Sequence, residues 1–406
     1  MTPLAVHRGE WTPDDRSEEF YRYLPFDVPP GVAGVRVRLE YNRAGAVLDL
    51  GCVSPERFRG WSGGARGEYV VGARRATPGY LPGELEPGEW HVVLGLHRVP
   101  RPVRYAVEIE VSRREFPLPR PASAPTPRPR TLPTPPCEPG MRWLRGDLHS
   151  HSEHSDGALS LAELGFAAAE AGLDFLAVTD HNTVSHHPHL AELSTPYTVL
   201  IPGQEVTTER GHANAFGDVG WIDFRRPAAH WVSEVDSRGG LLSINHPIAT
   251  DCAWRQPLDR RPPLAEIWHC TWTDRTWSGP LAWWQAWGAD TVAAGGSDFH
   301  APGRDRPLGT PTTWVCVPAD AEITVESVLD GLRAGRTAVS ASPAGPVLAR
   351  VDDELVAWGA DGAVLSDFTG RRRPVRGETA RFPAPDGPCW LEDADTAVLA
   401  LCNAGK

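Results

Sequence analysis

Hydrophobic and polar positions alternate along "VRVRLEY" (35–41), "HVVLGLH" (91–97) and "RYAVEIEV" (104–111), with Gly/Pro turns between them. A period of two turns one face of each segment inward, so residues 1–115 are expected to form a small antiparallel β-sandwich. The alternation stops at "FPLPRPASAPTPRPRTLPTPPCEPG" (116–140), where ten of twenty-five residues are proline. Proline fixes φ and donates no hydrogen bond, so neither a helix nor a central strand fits there and an extended linker is expected.

Beyond the linker the pattern becomes strand, loop, helix, repeated. "LDFLAVTDH" (173–181), "YTVLIPGQE" (197–205), "GLLSINHP" (240–247) and "DTVAAGGSDFH" (290–300) are short apolar runs that end in polar, ionisable residues. Ser160 and Glu163 read as a capping box for the helix "LAELGFAAAEA", and Gly172 stops it before the next strand. Residues 141–345 are therefore expected to be α/β, a parallel sheet or barrel whose ligand site collects at the carboxyl ends of its strands. From 346 onwards "VLARVDD", "LVAWG" and "TAVLALCN" predict a small C-terminal β domain, 346–406. No internal repeat is present.

Length agrees with two or three domains, since 406 residues exceed one ordinary core. A formal net charge of -12 gives no footprint for a nucleic-acid backbone, so no duplex partner is expected. There is no signal-like apolar run and no membrane span in the sequence, and a cytoplasmic protein is expected. The seven cysteines (52, 137, 252, 270, 316, 389, 402) form neither a disulfide framework nor a CxxC knuckle.

Candidate chemistry concentrates in "GDLHSHSEHSDG" (146–157) and at the later strand ends: His149, His151, Asp156, His181, Glu205, His212, His246, Asp298 and His300. One such histidine reads as structural or surface. Nine imidazoles and carboxylates brought to one face would be expensive to crowd and desolvate unless divalent cations compensated them. A set without thiolate suits zinc, manganese or iron, and one carboxylate can bridge two ions.

The same residues carry a resemblance. His149-Ser-His151, Asp156, "TDH" ending at His181, Glu205, "GH" ending at His212, "NHP" around His246 and "SDFH" with Asp298 and His300 resemble the ordered motifs of the polymerase and histidinol phosphatase (PHP) superfamily. Within it, the chain is similar to the branch named after carbaryl hydrolase. The resemblance covers about residues 143–345 and implies a distorted (β/α)7 PHP barrel with a trinuclear metal centre. It implies one ion on His149, His151, Glu205 and Asp298, and a second on Glu205, His212 and His246. A third would take Asp156, His181 and His300. His154 is a rival for the place of Asp156.

These ions would lower the pKa of a bound water and neutralise an attacked anionic ester, so the function expected is phosphomonoester or phosphodiester hydrolysis of a small-molecule substrate. Glu205 and Asp298 would serve catalysis as ligands, with His269 as candidate general acid. No cysteine is expected to act beside a motif histidine. Arg304 could fork onto a phosphate or be a solvated loop residue. Asp180 could orient His181 or cap a helix. His186, His187 and His189 read as surface histidines. Trp268, Trp272 and Trp277 should lie in a loop above the site, either packing or forming an aromatic wall for substrate; Trp283 and Trp287 should pack inward from a helix. "RGWSGGAR" (59–66) could reach the barrel mouth or turn a hairpin. Two other classes compete: a carbamate, carboxyl-ester or amide hydrolase using the same metals, and a non-catalytic scaffold or carbohydrate-binding module.

Overall fold

Eight strands form in the N-terminal region: β1 (Ala5–Trp11), β2 (Tyr21–Val28), β3 (Gly34–Tyr41), β4 (Val47–Val53), β5 (Phe58–Trp61), β6 (Glu68–Gly72), β7 (Gly88–Arg98) and β8 (Val103–Ser112). They make two antiparallel four-stranded sheets, ordered β1-β8-β3-β6 and β2-β7-β4-β5. Val35, Val37 and Leu39 of β3 share one core with Leu48 and Leu50 of β4 and Val92, Leu94 and Leu96 of β7. Each fully buried aliphatic side chain contributes roughly 1.5–3 kcal/mol. The computed structural model describes all residues except 1, 2, 121, 129, 131, 196, 272–277, 289, 405 and 406.

Two later segments, Ser152–Ser160 and Asp180–Pro188, cluster with Met1–Ala122 in one unit; Ser123–His151, Leu161–Thr179 and His189–Lys406 form the other. The proline-rich run is thus divided between them. Its later part is fastened to the second unit: Arg145 donates to the carbonyls of Leu132 and Pro133, and Trp143 Nε1 to that of Pro136.

The second unit is mixed α/β. Its strands are β9 (Met141–Asp147), β10 (Phe175–Val178), β11 (Val199–Thr208), β12 (Gly211–Phe216), β13 (Leu241–Ile244), β14 (Leu264–His269), β15 (Val292–Gly296) and β16 (Thr312–Pro318). These are followed by β17 (Thr337–Ser340), β18 (Val347–Val351), β19 (Glu354–Trp358), β20 (Val364–Asp367), β21 (Arg372–Pro374), β22 (Thr379–Pro383), β23 (Cys389–Glu392) and β24 (Val398–Cys402). Thirteen of them form one sheet, β15-β14-β13-β12-β11-β10-β9-β16-β17-β24-β23-β20-β21, and β18-β19-β22 form a second. Pairs β9/β10, β10/β11, β13/β14 and β14/β15 are parallel, and β12 runs against both neighbours.

Thr313 Oγ1 of β16 accepts from the Gly295 N–H and donates to the Gly295 carbonyl of β15, 2.8 Å each, so the sheet curls until its end strand meets its middle. The tail strands continue this sheet, because β24 pairs with β17. Helices Leu161–Glu170, His187–Leu193, Ala228–Ser237, Ser278–Trp287 and Val325–Arg333 fall between strands. Gly172, with φ +77°, takes the left-handed turn after the first of these. Trp283 and Trp287 stack on each other half-buried, while Trp284 between them is the fully buried one. No helix among the described residues is long and apolar enough to cross a membrane.

Asp49 is a polar intrusion in the sandwich core. It lies in β4 opposite Gly95, whose missing β-carbon would come within 2.7 Å of Asp49 Oδ2. Burial pushes its carboxyl from an ordinary 3.8 up to about 7, against the opposing pull of His181. A folded-state pKa above the unfolded one means that the folded chain keeps a proton the unfolded chain gives up. Asp49 therefore destabilises the fold progressively as pH rises from about 4 to 7, by on the order of 4 kcal/mol in full. In chelated protein, Asp49→Asn should match wild type near pH 4 and melt at higher temperature at pH 8. Parallel melting curves at both pH values would contradict this.

Candidate metal centre

The strand ends of the second unit deliver one imidazole and carboxylate cluster. His149 and His151 follow β9, Glu205 lies on β11, His212 is the second residue of β12, His246 follows β13, His269 ends β14, and Asp298 and His300 follow β15. Because β12 is antiparallel, its first residues come to the same end as the last residues of its neighbours.

Glu205 is at the middle of the cluster and is fully buried. Its Oε1 accepts from Asn245 Nδ2 at 2.8 Å and lies 3.1 Å from His212 Nδ1, 3.3 Å from His246 Nε2 and 3.3 Å from His149 Nε2. Its Oε2 is 3.6 Å from His151 Nε2. Asp298 forms the next node: Oδ1 lies 2.9 Å from His151 Nε2 and 3.3 Å from His149 Nε2, and Oδ2 lies 3.2 Å from His269 Nε2. His269 Nδ1 is 2.8 Å from Thr271 Oγ1. His300 stacks on His151 with ring centroids 4.2 Å apart.

Several residues outside the expected set complete this cluster. Glu266 Oε1 lies 3.1 Å from His149 Nδ1, and its Oε2 accepts from the His246 N–H at 2.8 Å. Glu266 and His269 are three apart, which strict alternation would turn to opposite faces. The register shift between Glu266 and Trp268 restores both to the site. A carboxylate inside the apolar run "LAEIW" was the available sequence signal. Cys252 Sγ lies 3.3 Å from His246 Nδ1, so a cysteine does stand against a motif histidine, brought there by the loop after β13. Asp147 is buried at the end of β9 and accepts from the N–H groups of His149, Ser297 and Gly309, tying the two histidine- and aspartate-bearing loops together.

The backbone is shaped to the cluster. A β-carbon on Gly296 would lie 2.4 Å from His149 Cβ and 2.5 Å from Glu266 Oε1, so only glycine lets β15 approach. His246 (φ +25°) and Asp298 (φ +49°) occupy the left-handed region, which non-glycine residues adopt at a cost and which gathers at functional sites.

In the first unit, Asp156 Oδ1 is 3.6 Å from His181 Nε2; Asp156 is exposed and His181 half-buried. His154 is buried with Nδ1 2.7 Å from Ser185 Oγ. Asp180 is fully buried. Its carboxylate accepts from the Ser152 N–H and from Ser152 Oγ and Ser155 Oγ, lacing two loops together. His186 is fully buried, not on the surface, with Nδ1 3.4 Å from Asp180 Oδ2; His187 is half-buried and His189 exposed.

The aromatic expectation changes as well. Trp268 is no loop residue: it lies in β14, 6% exposed, in a core with Ile244, Trp284, Val339 and Trp390. Trp272 and Trp277 lie outside the described residues. Arg304 is largely exposed and its guanidinium rests on Asp305, whose Oδ2 accepts the N–H groups of His300 and Ala301.

The donor set fits divalent metal. His149, His151 and Glu205; His149, His246, Glu266 and His269; and His212, His246 and Cys252 each bring their ligating atoms within 4.8 Å of one another. His149 Nε2 is buried and makes no hydrogen bond, although two carboxylates lie 3.3 Å from it. Burial disfavours the His149 imidazolium, yet Asp298, Glu205 and Glu266 hold its pKa well above the ordinary value. His246 is likewise held well above, burial being outweighed by Cys252 and Glu205. Asp298, despite burial, is held well below by His149, His151 and His269. Without metal the carboxylates around His149 and His246 favour the imidazolium form of those two rings, and a cation binding there must displace their protons. Adding Zn²⁺ to chelated protein at pH 7 should release about two protons from His149 and His246, read by pH-stat or by the buffer dependence of the binding heat. Uptake of metal with no proton release would contradict the protonated cluster.

No protein-family model matches the chain, and no curated protein matches it. Solved structures do resemble it. A two-domain protein containing a predicted PHP-like metal-dependent phosphoesterase, from Bacteroides vulgatus, is 16% identical over 70% of this chain and 100% of its own, with a TM-score of 0.42. An amidohydrolase from Chromobacterium violaceum, holding sulfate and no metal, is 16% identical over 40% of this chain and 89% of its own, with a TM-score of 0.29.

Proposed function

We propose that the chain is a metal-dependent hydrolase that cleaves a small phosphomonoester or phosphodiester at a multinuclear centre, on a curled sheet that is a distorted PHP-type barrel. The observation that carries this reading is Glu205: one fully buried carboxylate whose Oε1 lies 3.3 Å from His149 Nε2, 3.1 Å from His212 Nδ1 and 3.3 Å from His246 Nε2, and whose Oε2 lies 3.6 Å from His151 Nε2. In this reading His149, His151, Glu205 and Asp298 hold one ion, and Glu205, His212 and His246 hold a second. The motif resemblance adds a third ion, to which Asp156 and His181 contribute. Zinc, manganese or iron suits such donors.

Divalent cations supply a lowered water pKa and neutralisation of charge on an attacked anionic ester. The side chains do the rest. Glu266 fixes the ring of His149 through Nδ1, leaving Nε2 to face the carboxylates. Asn245 holds the Glu205 carboxylate in place. His269 is placed to move a proton: its Nε2 lies 3.2 Å from Asp298 Oδ2 and Thr271 steadies the other nitrogen, so it can protonate a departing oxygen. Trp268 has no part in substrate contact because it is core, and Arg304 is engaged by Asp305.

Side-by-side assay of an activated aryl phosphate, aryl carbamate and aryl acetate should find the phosphate cleaved fastest. Glu205→Ala should lose that activity by roughly three orders of magnitude or more and bind less metal. Faster carbamate cleavage, lost in the same variant, would transfer the reading to a carbamate or amide hydrolase; wild-type protein with no bound metal after supply of zinc, manganese and iron would defeat it. His269→Ala should keep its metal and lose roughly 10²–10⁴-fold in rate. An unaltered rate would remove His269 from the mechanism.

A further inference from the structure

The N-terminal sandwich is bound to the loops that carry Asp156 and His181 by a specific set of hydrogen bonds. Arg66, at the end of "RGWSGGAR", donates through Nη1 to the Ser155 carbonyl at 2.8 Å and through Nη2 to the Glu153 carbonyl. Those two carbonyls flank His154, and Ser155 directly precedes Asp156. Gly79 takes the other loop: its N–H donates to Ser185 Oγ at 3.0 Å and its carbonyl accepts from Thr183 Oγ1 at 2.9 Å. Ser185 Oγ in turn lies 2.7 Å from His154 Nδ1, so the two loops are joined through the same contact.

The sandwich side of this contact is rigid. The Gly79 carbonyl also accepts from the Trp61 N–H, and the next residue, Tyr80, is buried, stacked on Tyr69 and hydrogen-bonded through its hydroxyl to the Leu50 carbonyl. Gly79 has φ +98°, and a β-carbon there would come within 2.7 Å of the His154 carbonyl, so the approach is one that glycine alone permits. Four directed hydrogen bonds thus tie these loops to the sandwich.

Resting on the metal reading above, we infer that the sandwich is a splint for that site: Arg66 and Gly79 are positioning elements that hold Asp156 and His181, 3.6 Å apart, ready to share a cation. Loops held in this way meet the ion already ordered, so its binding does not bear the cost of ordering them.

The test uses full-length protein. Arg66→Ala should lose about one ion per chain while the others stay. In metal-free protein its amide exchange over 152–160 and 180–188 should rise by roughly tenfold or more, with 205–216 unchanged. Millimolar guanidinium should restore both, a rescue that general damage to packing would not allow. Arg104→Ala, an exposed pair with Glu10, is the control. Should Arg66→Ala fail to fold, Thr183→Val decides by the same two readouts at smaller amplitude. Normal metal uptake with unaltered exchange in either variant overturns the splint alone. Wild-type protein that takes up no metal overturns the hydrolase reading, and with it the ligating role.

Discussion

A carboxylate removed from water among histidines is the constraint on which the second unit is built. Glu205 is fully buried, and Asp298 and Glu266 stand close to the same rings. Ionised groups at this density are tolerated only when cations or protons answer each carboxylate. Every nearby feature serves that requirement. Asp147 pins the loops after β9 and β15, Gly296 clears the approach to His149, and a register shift in β14 turns Glu266 and His269 the same way. Left-handed backbone at His246 and Asp298 is held by the surrounding contacts.

Much of this was legible in the sequence because the motif residues sit where apolar runs end. A strand that finishes inside the sheet exposes its next residues at one edge, so "INHP" and "GGSDFH" announced His246 and Asp298 without knowledge of the fold. The alternation in "VRVRLEY" announced β3 for a similar reason. What was not legible depends on geometry across the chain. Glu266 sits within an apolar run, and only the register shift reveals its direction. Cys252 reaches His246 by a loop path that spacing does not encode. Trp268 was expected in a loop above the site; β14 instead runs on to His269 and buries it. His186, read as a surface histidine, is buried beside Asp180, a pairing that sequence spacing does not encode.

The two flanking regions differ in kind. The strands after residue 346 extend the main sheet through β17 and β24, so their stability is tied to it. The sandwich forms a unit with Ser152–Ser160 and Asp180–Pro188, segments that lie beyond the proline-rich run in sequence. A proline run therefore marks a change of local structure here without marking where cooperative packing ends. The glycine-rich "RGWSGGAR" stretch, ambiguous as sequence, is resolved by Arg66: its two carbonyl acceptors belong to a motif loop.

The central claim is that the Glu205 carboxylate is shared by two metal ions. Anomalous diffraction from crystals of the wild-type protein grown with manganese tests it most directly. The account predicts two anomalous peaks, each about 2.0–2.2 Å from a Glu205 oxygen, one beside His149 and His151 and the other beside His212 and His246. A carboxylate bonded only to Asn245 and the histidine rings, with no anomalous density beside it at saturating manganese, would contradict it.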